Sequence, residues 1–150
     1  MKIAVGADHA GYRLKQQVKQ HLVALGHEVV DMGTDGDESV DYPDYARGVS
    51  ELVGSGECER GILVCGSGVG MAIAANKVAG VRAAACYSTD LASLSRKHND
   101  SNVLALGERL TDGKAALKIV DTWLTTEFEG GRHERRVDKI SSMDRASRIR

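Results

Sequence analysis

Short runs of consecutive apolar residues alternate along most of this chain with segments whose apolar residues recur at helical spacing. The first run covers residues 2–7, and it is followed at helical spacing by Leu14, Val18, Leu22 and Leu25. Strands that are apolar on both faces are typical of a parallel sheet covered by helices on both sides. We therefore predict an α/β fold: a Rossmann-like three-layer sandwich with a five-stranded parallel sheet, right-handed crossovers and a C-terminal helical tail.

The remaining predicted elements continue this alternation. Gly26 ends the first helix, and Pro43 marks an early position of the second. Ser88 or Thr89 is predicted to cap the fourth helix, and Thr111 the fifth. The further strands are predicted at residues 28–32, 61–65, 81–86 and 103–106, and the further helices at about 43–55, 69–78, 88–98 and 111–125.

The segment 127–150 differs in composition from the rest of the chain. Gly130 and Gly131 interrupt it, and the arginines that follow are Arg132, Arg135, Arg136, Arg145, Arg148 and Arg150. A chain of 150 residues fits one domain, so we expect a single domain with a core of residues 1 to about 126 and this tail. Composition leaves open a solvated, charged terminal helix. On a helix, Arg132 and Arg136 would share a face and could bind one phosphate group.

The charge balance argues against nucleic acid or a membrane as a partner. The formal net charge is -1, and only 4% of the residues are aromatic, which provides neither a broad basic surface nor stacking platforms. No apolar stretch approaches the length that spans a membrane, and Asp8 and His9 interrupt the first apolar run. We therefore expect no secretory segment and a cytoplasmic location.

Polar and reactive residues are concentrated where predicted elements end. Asp8 and His9 follow the first strand, and Cys65 ends the third strand, directly before the loop G-S-G-V-G. Ligands of open parallel sheets bind at the carboxyl ends of the strands, so these residues are candidates for a functional site. His98 and Asn99, at the end of the fourth predicted helix, are further candidates.

The glycine loop after Cys65 matches neither common nucleotide-binding motif. The dinucleotide fingerprint G-x-G-x-x-G would require a glycine in place of Met71 or Ile73. A P-loop beginning at residue 6 fails as well, because Tyr12 and Arg13 stand where Lys and then Ser or Thr are required. What remains is a group of backbone N–H donors at a helix start, which suits an anion or the developing oxyanion of a bound substrate.

Cys65 lies directly before these donors, where the positive end of a helix favours the thiolate form of a thiol. A thiolate at this point could act as a base or a nucleophile near neutral pH. The alternative is a small buried apolar residue, and we retain this interpretation for Cys58 and Cys86. The cysteines are odd in number and lack a metal-type spacing, so neither a disulfide framework nor a zinc site is indicated. Proton transfer by a base with oxyanion donors requires no metal or nucleotide, so we also expect no metal site and no cofactor.

Six ordered sequence blocks together are specific, although any one alone would not be. They are G-A-D-H-A-G at residues 6–11, D-Y-P-D-Y-A at 41–46, C-G-S-G-V-G at 65–70, I-A-A-N-K at 73–77, S-R-K-H-N-D at 95–100 and E-G-G-R-H-E-R-R-V at 129–137. On these blocks the chain resembles, over nearly its whole length, the ribose-5-phosphate isomerase B family, which also contains allose and galactose 6-phosphate isomerases.

This resemblance implies a metal-independent aldose–ketose isomerase of the pentose phosphate pathway that acts on ribose 5-phosphate. It implies a Rossmann-like subunit that forms homodimers, or dimers of dimers, in which each active site is shared between two chains. It assigns the proton transfer between C1 and C2 to Cys65, and the opening of the furanose ring to His98. The other implied roles are binding of the enediolate oxygens by Gly66, Ser67, Gly68, Val69 and Gly70, contact with the sugar by Asp8, His9, Tyr42 and Asn99, and phosphate binding by Arg109, Arg132 and Arg136.

Two positions distinguish this chain within the resemblance. One branch of the family uses a glutamate as the base at the position that Met71 holds here. Met71 cannot accept a proton, so the resemblance leaves Cys65 as the base. Ser67 stands where many members have threonine, and this departure keeps the hydroxyl group.

Three other functions remain open at the level of sequence. The nearest is an isomerase of six-carbon aldose phosphates such as allose 6-phosphate or galactose 6-phosphate, since the same groups with a longer pocket would serve. The second is a nucleotide-binding module that uses the glycine loop. The mismatch to both nucleotide-binding motifs argues against it. A nucleic-acid-binding protein with an arginine-rich tail is the third, against which the charge and the aromatic content count.

Overall fold

Strands and helices alternate in the computed structural model as the apolar pattern predicts. The structure describes residues 1–148, with side chains through residue 144. Arg150 and the side chains of Arg145 and Arg148, which belong to the expected arginine-rich tail, lie outside the described residues. The strands are β1 Lys2–Ala7, β2 Glu28–Asp31, β3 Arg60–Cys65, β4 Ala83–Ala85 and β5 Val103–Gly107, and the helices are α1 Tyr12–Ala24, α2 Tyr42–Gly54, α3 Val69–Ala75, α4 Thr89–Asn99, α5 Gly113–Thr125 and α6 Arg132–Arg148.

The five strands form one sheet in the order β2-β1-β3-β5-β4, and every neighbouring pair is parallel. This confirms the predicted α/β fold with a five-stranded parallel sheet. The chain passes from β1 outward to β2 and then crosses to β3 on the other side of β1, so the direction of winding reverses between β1 and β3. The carboxyl ends of these two strands border a crevice at the reversal, which is where open α/β sheets bind their ligands.

Helices cover both faces of the sheet and enclose two apolar cores. α1, α4 and α5 pack on one face through residues such as Leu14 and Ile119, and α2 and α3 pack on the other through residues such as Val49 and Met71. Each fully buried residue of this kind contributes roughly 1.5–3 kcal/mol by leaving water. Strand side chains alternate between the cores because they point to opposite faces, and this alternation places Cys65 in the core beneath α2 and α3.

Trp123, the one tryptophan of the sequence, is fully buried on α5. Its indole Nε1 donates a hydrogen bond to Ser101 Oγ at 2.9 Å, and the guanidinium carbon of Arg60 lies 5.1 Å from the indole ring centroid. Arg60 is the first residue of β3, and Ser101 precedes β5. This polar group therefore lies at the amino-terminal edge of the sheet, opposite the crevice.

Two of the predicted helix caps can be compared with the structure. Ser88 Oγ accepts a hydrogen bond from the Leu91 N–H at 3.1 Å, so the first of the two alternatives for α4 is confirmed. For α5 the prediction of Thr111 was wrong, since the carboxylate of Asp112 accepts from the Ala115 N–H at 2.9 Å. The Thr111 N–H instead closes the preceding turn by donating to the Gly107 carbonyl, which places this residue one position too early for a cap.

Helix α3 and strand β4 are shorter than predicted. α3 ends at Ala75 rather than near residue 78, and β4 covers Ala83–Ala85 rather than residues 81–86. The side-chain amide of Asn76 explains the early end of α3, because it donates to the Ala83 carbonyl at 3.0 Å and accepts from the Ala83 N–H at 2.8 Å. These two bonds tie the end of α3 directly to the start of β4.

Helix α6 forms the C-terminal helical tail that the sequence predicts. Among its described side chains only His133 and Val137 are buried, with exposed fractions of 7% and 8%. Its first turn therefore packs on the rest of the chain, next to the end of α4, whereas Ile140 and Met143 are exposed. None of the helices within residues 1–148 combines the length and the apolar character needed to cross a membrane.

Candidate active site

A cleft of about 550 Å³ opens at the carboxyl ends of β1, β3 and β5. Most of the residues that the sequence analysis singled out line this cleft. They are Asp8, His9, Tyr42, Cys65, Gly66, Ser67, Val69, Gly70 and Arg109. Parallel strands bring these distant parts of the sequence to the same edge of the sheet, as the strand-end argument expects.

The loop after β1 holds Asp8 and His9 in fixed orientations. One carboxylate oxygen of Asp8, Oδ1, accepts hydrogen bonds from the Ala10 and Gly11 N–H groups at 3.0 and 3.1 Å. The His9 ring accepts a hydrogen bond at Nδ1 from the Val40 N–H at 3.1 Å. Because Nδ1 is an acceptor there, the neutral ring carries its proton on Nε2 and can donate it to a ligand.

Cys65 ends β3 at the floor of the cleft, with 5% of its surface exposed. Its Sγ accepts a hydrogen bond from the Gly68 N–H at 3.1 Å, which stabilises negative charge on the sulfur. Burial raises the pKa of the Cys58 and Cys86 thiols, and neither residue lines the cleft. Cys65 is therefore the cysteine whose sulfur faces the cleft and accepts a backbone hydrogen bond there.

The glycine loop between β3 and α3 depends on close backbone contacts. Gly68 directly precedes α3 as its N-cap and has a φ of +82°, a conformation that other residues rarely adopt. A Cβ atom on Gly70 would lie 2.8 Å from the Tyr42 ring, so Tyr42 packs directly on this glycine. The loop therefore places backbone N–H groups, the Ser67 hydroxyl and the Tyr42 ring around the thiol of Cys65.

Arg109 reaches the same loop from β5. The Arg109 N–H donates to the Gly66 carbonyl at 3.0 Å, and the Glu108 N–H donates to the Cys65 carbonyl at 2.9 Å. A Cβ atom on Gly66 would lie 3.1 Å from the Arg109 guanidinium, so this cation lies against the loop. A fixed positive charge thus stands beside Cys65 and can bind an anionic group of a ligand.

Two residues that support the cleft were not singled out in the sequence. The Tyr87 hydroxyl donates to the Ser67 carbonyl at 2.7 Å and so orients the glycine loop. Glu108 Oε1 accepts from the Leu14 N–H at 2.6 Å and ties the end of β5 to the first turn of α1. No motif marked Tyr87, but the strand-end argument could have found Glu108, which directly follows the last strand.

The remaining predicted site residues lie away from this cleft in the same chain. α4 begins near the carboxyl edge and runs back across the sheet, and its 11 residues span about 16 Å. Its last turn therefore places His98 and Asn99 toward the opposite edge, where Asn99 borders a separate cavity with Arg82. Other residues of the same region, Arg132 and Arg136 on α6, are exposed.

His98 contacts the first turn of α6 rather than the cleft. Its imidazole stacks on that of His133, with ring centroids 4.2 Å apart and an angle of 14° between the planes. Possible metal-ligand atoms of His98, Glu129 and His133 lie within 4.8 Å of one another. Among the described residues, this is the group whose spacing could hold a metal ion. A metal ion must lie in the plane of each imidazole that binds it, and nearly parallel stacked planes do not meet at one ion. The stack therefore does not fit a metal centre.

Together, the residues in the cleft can carry out proton transfer on a small anionic ligand. Cys65 can accept a proton, the loop N–H groups and Ser67 can stabilise an oxyanion, and Arg109 can bind a negatively charged end. The cleft volume suits a small metabolite. His98 does not line this cleft in its own chain.

The chain is similar over nearly its whole length to proteins named as isomerases. The family model described as Ribose/Galactose Isomerase matches residues 3–140. The ribose-5-phosphate isomerase B of Escherichia coli is 51% identical over 143 residues, which cover 95% of this chain and 96% of that protein. The solved structure of Clostridium thermocellum ribose-5-phosphate isomerase B has a TM-score of 0.96 and 55% identity, covering 98% of this chain and 99% of that one. The structure of Mycoplasma genitalium ribose-5-phosphate isomerase B with bound ribulose 5-phosphate has a TM-score of 0.93 and 43% identity, covering 96% of each chain.

Proposed function

The chain belongs to the Ribose/Galactose Isomerase family, and from this premise we propose that it interconverts D-ribose 5-phosphate and D-ribulose 5-phosphate through an enediolate. The names of the Escherichia coli and Clostridium thermocellum relatives support this substrate. So does the ribulose 5-phosphate bound in the Mycoplasma genitalium structure. The observation that carries the proposal is the thiol of Cys65, hydrogen-bonded to the Gly68 N–H at the floor of the cleft.

In this proposal the Cys65 thiolate is the base. It removes the proton from C2 of the open-chain aldose, and the electron pair left behind forms the double bond of the enediolate between C1 and C2. Reprotonation at C1, together with transfer of a proton from the C2 oxygen to the C1 oxygen, completes the ketose. A positioned base accelerates such a step roughly 10²–10⁴-fold. Met71 is fully buried and has no proton acceptor, so it does not compete for this role.

The loop donors stabilise the charge that develops on the oxygens. We assign the Ser67 hydroxyl and the backbone of Gly66, Gly68, Val69 and Gly70 to the enediolate, where each well-placed donor contributes on the order of 3 kcal/mol. Asp8, His9 and Tyr42 contact the sugar hydroxyls from the other side of the cleft. The Nε2 proton of His9, fixed by the Val40 contact, is then a donor to the substrate.

The site is completed by a second copy of the chain, in a homodimer or a dimer of dimers. The residues assigned to ring opening, to one sugar contact and to part of the phosphate site lie outside the Cys65 cleft of their own chain; they are, in that order, His98, Asn99, and Arg132 with Arg136. A two-fold dimer can bring this group over the partner's cleft, where Arg132 and Arg136 join Arg109 at the phosphate. In this arrangement residues 1–150 act as one isomerase domain, with the core to about residue 126 and the tail serving the partner.

A substrate panel tests the proposed function. Ribose 5-phosphate, allose 6-phosphate and galactose 6-phosphate are assayed at equal concentrations with a chelator present, since the mechanism uses no metal. We expect the highest kcat/KM for ribose 5-phosphate. A preference for a six-carbon phosphate would reassign the substrate within the family, and loss of activity on adding the chelator would contradict the metal-free mechanism.

A further inference from the structure

The imidazole rings of His98 and His133 stack on each other and so connect two helices. The proposed mechanism assigns a role to His98 but none to His133. His98 is in the last turn of α4, and His133 is in the first turn of α6. The ring centroids are 4.2 Å apart, and the planes differ by 14°. His133 has 7% of its surface exposed, so most of its ring is covered, whereas an ordinary residue of a solvated helix would be open to water.

The chain holds this stack in place through the segment between α5 and α6. The Arg96 Nε donates to the Thr126 carbonyl at 3.1 Å, and the Glu129 N–H donates to the Lys97 carbonyl at 3.1 Å. Both bonds attach the segment to the last turn of α4. His133 then follows a turn of two glycines and contacts His98.

The two glycines set the direction of α6. Gly130 and Gly131 have φ values of +67° and +58°, a conformation that side chains disfavour. The Gly130 carbonyl accepts from the His133 N–H at 3.1 Å. The chain thus turns sharply just before α6, and this turn fixes where the His133 ring lies.

The charges around the pair favour a neutral His133. Burial lowers the pKa of His133, and the neighbouring His98, Arg132 and Arg136 lower it further, whereas Glu129 opposes them. The Glu129 carboxylate is 3.8 Å from His133 Nε2, beyond hydrogen-bond distance. A neutral ring can lie flat against His98 without the repulsion that two stacked cations would have.

We propose that His133 is a positioning residue that holds the His98 imidazole in the orientation needed to open the furanose ring of the substrate. This inference rests on the proposed function, in which His98 opens the ring and Cys65 moves the proton. A flat ring packed on one face of His98 restricts rotation of its imidazole, so its nitrogen edge keeps one direction toward the partner's cleft. His133 thus affects ring opening and not the proton transfer at Cys65.

Two measurements on the full-length chain separate these steps. Isomerisation of ribose 5-phosphate requires ring opening followed by proton transfer. Exchange of the C1 hydrogen of ribulose 5-phosphate with solvent deuterium requires proton transfer alone, because this ketose carries its phosphate on the C5 oxygen and cannot close a furanose ring. Wild type and His98→Ala are measured first, and His98→Ala is expected to lose isomerisation and keep exchange.

Three variants of His133 then test the stack. His133→Leu and His133→Asn remove the ring, and we expect both to lower isomerisation roughly tenfold or more, since small misplacements of a reacting group are costly, with exchange unchanged within about twofold. His133→Phe keeps a flat ring, and we expect it to retain near wild-type isomerisation. Thermal unfolding of each variant reports whether the fold is intact.

The outcomes discriminate between roles. Equal losses of isomerisation and exchange would show a merely structural role and overturn the inference, as would wild-type isomerisation in His133→Leu and His133→Asn. A folded His133→Phe as impaired as His133→Leu would overturn stacking as the cause. If the wild type neither isomerised ribose 5-phosphate nor exchanged ribulose 5-phosphate, the proposed function itself would fail, and the role of His133 with it.

Discussion

The cleft around Cys65 and the region around His98 are built in different ways. The cleft lies at the carboxyl edge of the sheet, and its residues follow β1, β3 and β5 on short loops tied by backbone hydrogen bonds. The His98 region consists of two helix ends and a glycine turn at the other edge, beside the exposed Arg132 and Arg136. One chain thus contains an assembled cleft around Cys65 and, separately, a stacked pair of histidines next to the exposed Arg132 and Arg136.

Under the proposed function, this difference separates the part of the site that one chain assembles from the part that a second chain would supply. Strand-end loops of one sheet converge without help, because the parallel sheet fixes their relative positions. The end of α4 cannot approach the same cleft, because the helix runs back across the sheet. We therefore expect substitutions in the cleft to act within a subunit and substitutions near His98 to act across an interface.

The largest effect is expected from Cys65→Ala, which removes the proposed base and little volume. Isomerisation should fall by roughly 10²–10⁴-fold, with the thermal unfolding midpoint nearly unchanged. Cys86→Ala is the matched control, because burial raises the pKa of that thiol and keeps it protonated. Alkylation followed by mass spectrometry should likewise modify Cys65 first. A Cys65→Ala variant that kept more than about a tenth of the wild-type rate would rule out this base.

The second effect concerns the arginines of α6. Replacing both Arg132 and Arg136 with Ala should raise KM and lower kcat/KM on the order of 10²-fold, since a hydrogen bond to a charged group contributes about 1.5–3 kcal/mol. Arg135→Ala is the control, because this exposed arginine lies on the same helix but outside the proposed phosphate site. Steady-state kinetics with ribose 5-phosphate decide the point. Unchanged kinetics in the double variant would contradict phosphate binding and support the alternative that α6 is a solvated, charged helix.

The third experiment joins the two regions directly. Cys65→Ala and His98→Ala are each expected to be nearly inactive, but a mixed dimer would hold one site with both lesions and one intact site. After dissociation and reassociation of an equal mixture, about half of the dimers are mixed, so activity should rise to roughly a quarter of wild type. Native mass spectrometry confirms the exchange. If the mixture stays inactive although subunits have exchanged, the two residues do not share a site.

The smallest effect concerns Asp31 at the end of β2, whose carboxylate accepts hydrogen bonds from Lys15 and Lys19. Burial raises the pKa of this carboxyl, but hydrogen bonds from Lys15, Gly33 and Lys19 outweigh it and bring the pKa below the ordinary value. The stabilisation is therefore present above about pH 4, the ordinary range of the group, and is lost as pH falls through the lowered value.

Asp31→Asn should accordingly lower the unfolding midpoint by about 3–6 °C at pH 7, corresponding to about 1–2 kcal/mol. The difference from wild type should shrink as pH falls below about 4. Asp37→Asn, at an exposed position of the loop that follows, serves as the control. A difference that stayed constant at low pH would assign the effect to packing rather than to the carboxylate charge.

The sequence predicted the fold and the contents of the cleft for the same reason. Apolar runs mark buried parallel strands, and residues such as Asp8 and Cys65 that follow them must meet at one edge. The resemblance assigned Tyr42 to the sugar and Arg109 to the phosphate, and both residues line the same cleft as Asp8 and Cys65. Their chemical roles remain proposals.

Other features depend on details that periodicity does not carry. Thr111 and Asp112 are both good capping residues, and only the geometry of the preceding turn decides between them. No sequence motif marks Tyr87, and its hydrogen bond to the Ser67 carbonyl depends on where the fold places the two residues. The stack of His133 on His98 likewise depends on the turn at Gly130 and Gly131.

The burial of Trp123 determines what intrinsic fluorescence can report. With one tryptophan in the sequence, emission excited at the red edge of the absorption band comes from a single indole, shielded from water and next to the Arg60 cation. This indole lies at the edge of the sheet remote from Cys65, so filling the cleft should leave its emission nearly unchanged. Unfolding should shift the emission to longer wavelengths. The chain therefore carries a built-in spectroscopic reporter of global integrity that is insensitive to ligand occupancy.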